Sequence, residues 1–477
     1  MRAEDREVSA IHVSKVPRRQ KKPHSPMDAN LSEYYRLPED AECFMRSATS
    51  GESGFFRFGL ATTCYGQCAR GAILNAAGRD LHDAAKDVRF EGSKVWLPID
   101  PSQVIDNLRY ERYTKLLLNG HNRIGSHPLI RKMYYVVREL LPVSVRRRIQ
   151  RIYFSNWREL EFPSWPVDST VDTLHEELLK LSMHAKGVQR MPFIWFWPDG
   201  AANCLVMTHD VETSAGRDLT PKLMNLDESY GIKASFQVIP EGRYEITDEY
   251  VNEIRSRGFE FNVHDLTHDG SLYRERDEFL HRAAKINEYA EKYQSRGFRS
   301  GVMYRNQDWY DAFQFSYDMS VPCVGHLEPQ RGGCCTVMPY FVGKILEIPL
   351  TAVQDYSLFH ILDDYSISLW KEQCALIREK YGLMSFIVHP DYIFEPRAQR
   401  TYEALLEYLR QMINREKTWM ALPGEVDRWW RARSQMRLVR QGNHWAIEGP
   451  EKGRAHIAYA VVNGDRLEYE FHPESTE

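Results

Sequence analysis

Cys204-Leu205-Val206-Met207-Thr208-His209-Asp210-Val211-Glu212 decides how this chain is read. A short apolar run that stops at ionisable residues reads as a buried strand, and acids just past such a strand sit where α/β folds keep their chemistry. Later segments end in the same way. Phe259-Glu260-Phe261-Asn262-Val263 runs into His264-Asp265-Leu266-Thr267-His268, Gly297-Phe298 into Arg299, and Met384-Ser385-Phe386-Ile387-Val388 into His389-Pro390-Asp391.

Working outward, strand-like and helix-like segments alternate from Cys204 to about Ala421. Ala234 to Ile239, Ile345 to Leu350 and Trp419 to Leu422 add strands. Asp248 to Arg257, a polar stretch up to Tyr293, Ser366 to Tyr381 and Ala398 to Ile413 have helical spacing. That order predicts an α/β fold of parallel strands wrapped by helices, either a barrel or an open sheet.

The flanks have a different character. Residues 1–32, with Pro17-Arg18-Arg19-Gln20-Lys21-Lys22-Pro23, read as a disordered basic tail; residues 33–100 read as a β-rich module; residues 101–200 read as a helical segment and connector. Residues 201–425 form the alternating unit, and 426–477 a C-terminal β-hairpin module turning at Asn463-Gly464. Within the helical segment, Val104, Ile105 and Leu108 share a face of a helix running on toward Leu116-Leu117-Leu118. Leu129, Met133, Val136, Val137 and Leu140 mark a second helix, which Pro142 ends. Val143-Ser144-Val145-Arg146-Arg147-Arg148-Ile149-Gln150-Arg151 is a basic helical patch, a solvated face or a contact for an anionic polymer or lipid surface. The aromatic run Phe193-Ile194-Trp195-Phe196-Trp197 reads as core.

At 477 residues and 43% hydrophobic content, the chain has ample material for a large α/β core. Its 62 basic and 66 acidic residues give no general drive toward nucleic acid. No apolar stretch reaches the roughly eighteen residues of a membrane span, and no secretion signal is apparent at the start, so a cytoplasmic location is expected. The eight cysteines, with Cys334 and Cys335 adjacent, suggest reduced buried thiols rather than a disulfide framework. Cys64 and Cys68 have the spacing of half a zinc site, but no matching second pair follows.

His264 and His268 are four apart, so on a helical turn both rings would project from one face and share a divalent metal. A catalytic metal is typically held by three protein groups, with one position left open. Glu212 or Asp210 would supply the third ligand.

Taken together, Thr208-His209-Asp210-Val211-Glu212, His264 with His268, Arg299, Tyr317-Asp318-Met319-Ser320 with Leu346-Glu347-Ile348-Pro349, and Val388-His389-Pro390 resemble the polysaccharide deacetylase family, carbohydrate esterase family 4. The resemblance covers about 203 to 422, with the motifs in the family's order. It implies a distorted (β/α) barrel whose divalent metal, usually zinc, helps remove N-acetyl or O-acetyl groups from a carbohydrate. By the same resemblance Asp210 is the catalytic base, Glu212, His264 and His268 hold the metal, Arg299 orients the base, and His389 is the catalytic acid. Asp318 lies near the region that tunes that histidine.

The sequence departs from the family pattern in places. Glu212 stands where aspartate is usual, Asp265 where serine or threonine is common, and Arg299-Ser300-Gly301-Val302 lacks the usual proline. His209, where an aromatic residue is common, reads as a packed imidazole. The expected activity is a metal-dependent deacetylase acting on a sugar, polysaccharide or glycan precursor. Its rivals are an amide hydrolase for a small non-sugar amide on the same scaffold and a catalytically silent carbohydrate-binding protein. The sequence does not address the oligomeric state.

Overall fold

A computed structural model describes residues 31–39, 41, 43–47, 49, 51–70, 81–116 and 143–471. Residues 1–30 of the expected tail, the expected helix over Leu129–Leu140 and the stop at Pro142 lie outside the described residues.

Nine strands form the central sheet: β1 (Asn203–Val211), β2 (Ala234–Val238), β3 (Glu260–His264), β4 (Gly297–Arg299), β5 (Tyr317–Asp318), β6 (Tyr340–Val342), β7 (Ile345–Glu347), β8 (Leu383–Val388) and β9 (Thr418–Met420). Their order is β6-β7-β5-β4-β3-β2-β1-β8, with β9 beside the start of β1. Every pairing is parallel except the β6–β7 hairpin. β1 is long enough to hold three neighbours: β8 runs along one edge from Cys204, while the other edge takes β9 up to Leu205 and β2 from Met207. Irregular chain after β7 links the ends of the sheet, with Ala352 N donating to Ser385 O at 3.1 Å and Thr351 Oγ1 to Leu383 O at 2.7 Å. The result is the distorted (β/α) barrel expected from the sequence.

Local chemistry sets the turns out of the strands. Thr213 follows Glu212 directly and its hydroxyl accepts from Gly216 N at 3.0 Å, so helix α1 (Ser214–Ser229) starts just behind the first acids. Thr247 caps α2 (Asp248–Ser256) in the same way, and Glu395 caps the helix Pro396–Arg415. The expected strands and helices of this unit are all present.

The helix expected to run toward Leu118 stops earlier. It spans Pro101–Arg109, Glu111 breaks it with a left-handed backbone of φ 56°, and helical residues resume at 114–116, where the described stretch ends. Glu111 there meets the buried Arg305 guanidinium. The C-terminal hairpin pairs Ile457–Asn463 with Arg466–Phe471 and turns at Gly464, whose φ of 60° suits glycine. Its first strand lies antiparallel to Arg190–Ile194, in the stretch read from sequence as connector. All eight cysteines are free and all but Cys43 are buried. No helix among the described residues is long and apolar enough to cross a membrane.

A buried arginine ties the flanking segments to one another. Arg433, 1% exposed, donates to the carbonyls of Trp195 (2.9 Å), Tyr34 (2.9 Å) and Ile194 (2.7 Å), between the rings of Phe196 and Trp430. Burial, with Arg36 as a like charge, pulls this guanidinium down to about 9. Replacing it with alanine would orphan carbonyls from separate segments and should destabilise the fold by about 3 kcal/mol. Urea unfolding of Arg433→Ala against the parent chain measures this.

Candidate active site

Parallel strands end on the same side of a sheet, so residues at their C-terminal ends converge even when far apart in sequence. β1 delivers Asp210 and then Glu212, β3 ends at His264, β4 at Arg299, and β8 runs into His389. Arg299 lies directly opposite His264 in the β3–β4 register, and Val388 opposite His209 in β1–β8. The six candidate residues are all brought together.

His264 and His268 do converge, though not through a helical turn. His264 is the last residue of β3, and Asp265 and His268 both have φ of 56°, so the chain folds back in a tight left-handed turn. Gly301 makes room for it, because a Cβ there would fall 2.3 Å from Asp265 Oδ2 and 2.9 Å from His268 Cδ2. Helical spacing thus predicted the proximity for the wrong reason.

Glu212 Oε1 lies 2.9 Å from His268 Nε2 and 3.8 Å from His264 Nε2, and one ligand atom from each residue lies within 4.8 Å of the others. Ligands about 2.0–2.1 Å from a tetrahedral cation are themselves about 3.3 Å apart. His264 Nδ1 sits 3.1 Å from the Arg299 carbonyl, which takes up its N–H and leaves the Nε2 lone pair aimed at the cluster. His264 Nε2 is buried and makes no hydrogen bond, and His268 Nε2 is buried with the Glu212 carboxylate as its neighbour. Two buried imidazole nitrogens converging on one carboxylate are a donor set that fits a divalent cation. Among the described residues no other cluster of this kind occurs, at Cys64 and Cys68 or elsewhere.

Asp210 is clamped from behind. Arg299 Nη1 donates to Asp210 Oδ1 at 2.7 Å and to Thr208 Oγ1 at 2.7 Å, while Arg299 Nε donates to the Met319 carbonyl at 3.0 Å. Thr208 in turn donates to the Phe386 carbonyl at 2.7 Å. Burial, the largest effect, opposes ionisation of Asp210, but Arg299, His264 and His389 together outweigh it and hold the carboxyl below its ordinary range. Asp210 Oδ2 lies 3.8 Å from His264 Nε2, beside the metal ligands.

His389 Nδ1 lies 2.6 Å from Asp355 Oδ1, and His389 N donates to Asp355 Oδ2 at 2.8 Å. Burial works against the imidazolium, yet Asp355 raises His389 well above its usual value. Its Nε2 faces the cluster, 3.5 Å from Glu212 Oε1. Asp355 therefore takes the tuning position that the sequence reading gave to Asp318. Asp318 instead accepts from Tyr310 OH (3.0 Å) and Ser320 N (2.8 Å) next to the buried Glu347. The only sequence signal for Asp355 was an acid a few residues past the expected strand Ile345–Leu350.

His209 is a packed imidazole as expected, held between the Val388 carbonyl (3.1 Å) and Asp227 (2.8 Å). Arg305 turns inward to Glu111, Tyr310 to Asp318, and Trp309 packs on Phe279, so this stretch is core rather than the wall of a sugar groove.

No family model and no curated protein matches the sequence. Solved structures similar to this chain include a Mycobacterium smegmatis protein assigned as a polysaccharide deacetylase: 17% identity, 53% of this chain and 98% of that one covered, TM-score 0.41. A Pseudomonas aeruginosa PAO1 protein assigned likewise has 14% identity, covers 49% and 92%, and has a TM-score of 0.39. Puue allantoinase has 13% identity, covers 49% and 92%, and has a TM-score of 0.37.

Substituting His264 by alanine should lower bound divalent metal well below one per chain, measured by elemental analysis after dialysis. Asp355→Asn should leave metal content unchanged but weaken the imidazolium of His389. If turnover needs that proton, the alkaline limb of the pH–rate profile shifts to lower pH and the rate falls by about 10²-fold or more.

Proposed function

We propose that this protein is a metal-dependent hydrolase that removes N-acetyl or O-acetyl groups from a sugar, polysaccharide or glycan precursor. One arrangement carries the proposal: a Glu212–His264–His268 cluster flanked by an arginine-clamped carboxylate and an aspartate-clamped imidazole. Acyl transfer to water needs a group that takes a proton and one that gives it, and these two are held in opposite protonation states.

A divalent cation bound by Glu212, His264 and His268, zinc being our choice, would polarise the acetyl carbonyl and bring a water's pKa toward neutrality. Asp210, kept ionised and aimed by Arg299, accepts the proton of the attacking water. The C–N bond then breaks as His389 Nε2 gives its proton to the departing nitrogen. The products are acetate and a free amine, and Asp355 stabilises the imidazolium between turnovers. An ester oxygen leaves more readily than an amine, so acetate release from O-acetylated sugars would depend less on His389. Glu212 reaches one methylene further than aspartate, which moves the ligand toward His268, its nearest partner at 2.9 Å.

Incubation of zinc- or cobalt-loaded protein with acetylated chito-oligosaccharides tests the proposal through acetate release. We expect turnover that a chelator abolishes and added metal restores. Asp210→Asn should retain metal and lose at least about 10²-fold in kcat, because it deletes the base but no ligand. Hydrolysis of small non-sugar amides alone would instead favour an amide hydrolase. Absence of both metal and turnover would make the protein a silent carbohydrate binder.

A further inference from the structure

The basic patch picked out in the sequence is a helix, Val143–Tyr153, packed against the segment that carries Tyr356 and His360. Tyr356 OH donates to Gln150 Oε1, the Tyr356 ring is 5.6 Å from Tyr392, and Tyr392 is 4.9 Å from His389. At its end Arg151 Nε donates to the His360 carbonyl at 2.9 Å and Tyr153 OH to the Pro329 carbonyl at 3.4 Å. Gln150, Tyr153 and the buried Phe154 form the docked side.

The opposite side is aliphatic and exposed. Val145, Ile149 and Ile152 recur at i, i+4 and i+7, hence on one stripe, and are 41%, 39% and 67% exposed. Arg148 is exposed beside the stripe, while Arg151 is taken by the His360 carbonyl and by Asp363 at 3.4 Å. The helix sequence VSVRRRIQRIY holds four arginines and no acid, in a chain whose formal net charge is -4, so the positive charge is local.

A partner for this face must accept both aliphatic side chains and positive charge. A second copy of the chain would bring arginine against arginine, and an anionic polymer in water offers nothing to the isoleucines. An anionic bilayer surface satisfies both, with acyl boundary for the stripe and phosphate for the arginines. We propose that the Val145–Ile149–Ile152 face docks on anionic lipid and turns the mouth of the site toward the membrane. Resting on the deacetylase reading, the substrate class this favours is a glycan tethered to lipid.

Vesicle co-sedimentation of the full chain tests the docking without any turnover assay. Binding should be strong on phosphatidylcholine–phosphatidylglycerol vesicles, weak on phosphatidylcholine alone, and reduced by salt. The double variant Ile149→Ser/Ile152→Ser should weaken binding about tenfold or more, and Arg148→Gln about fivefold, both with the parent's melting temperature. Equal binding by parent and double variant, or no binding to anionic vesicles, overturns the proposal. So does a dimer in sedimentation velocity that the double variant dissociates, since a second copy then covers the face. So does Ile152→Cys that resists maleimide without vesicles, since the chain then covers its own stripe. Acetate release from soluble oligosaccharides by the double variant at the parent's rate would separate a failure of docking from a failure of the hydrolase reading.

Discussion

The contact on which the rest of the site depends is the one between Arg299 and Asp210. Arg299 is wholly buried, and a buried guanidinium is tolerated only where its charge is met; its Nε and Nη1 are hydrogen-bonded, while Nη2 is not. Its Nη1 is shared between Asp210 and Thr208, and its Nε is taken by the Met319 carbonyl just past β5. One side chain therefore fixes the end of β1 relative to β4 and the loop beyond β5. The same residue's carbonyl receives His264 Nδ1 at 3.1 Å, so its main chain sets the orientation of His264 while its side chain sets that of Asp210. Removing one partner of such a buried pair leaves an uncompensated charge, typically costing about 3–5 kcal/mol. The geometry is thus stiff because alternatives are expensive.

Much of this was legible in the sequence, and the reasons are specific. Strands β1 and β8 are largely apolar runs that stop at charged or imidazole side chains, and β3 alternates Phe261 and Val263 with polar residues before it reaches His264. Since parallel strands share a C-terminal end, locating Asp210, Glu212, His264 and His389 at strand ends was already a statement about their convergence. His209 also read correctly, because a side chain that precedes an inward-facing acid by one residue points to the opposite face. There it meets Asp227 of α1.

Asp355 was hidden because it opens a short helical turn that runs into Ser357–Ile361. That turn lies in the long connection between β7 and β8 and is too short to show a helical period in the sequence. The turn carrying His268 was misread for a related reason: i, i+4 spacing is characteristic of a helix, whereas left-handed conformations at Asp265 and His268 reach the same proximity without one. Asp265 is among the residue types that tolerate such a backbone best. Nor could one sequence have shown that Ile457–Asn463 pairs with Arg190–Ile194, since a strand's partner is set by tertiary contacts.

The flanking segments matter to the site as well as to stability. Glu111, where the helix Pro101–Arg109 has just ended, pairs with Arg305 inside the barrel, and Gln307 Nε2 donates to the Arg109 carbonyl at 2.7 Å. Arg305 lies just past the turn that Gly301 opens for Asp265 and His268, so the segment behind His264 and His268 is held from outside the barrel. On the other side, the helix Val143–Tyr153 rests on the helical turn that starts at Asp355 and Tyr356. The barrel's own strands position Asp210, Glu212 and His264, whereas Asp355, the partner of His389, sits on a turn braced by a non-barrel helix. A change in that helix therefore has a physical route to His389. It has no comparable route to Asp210, whose clamp lies within the sheet.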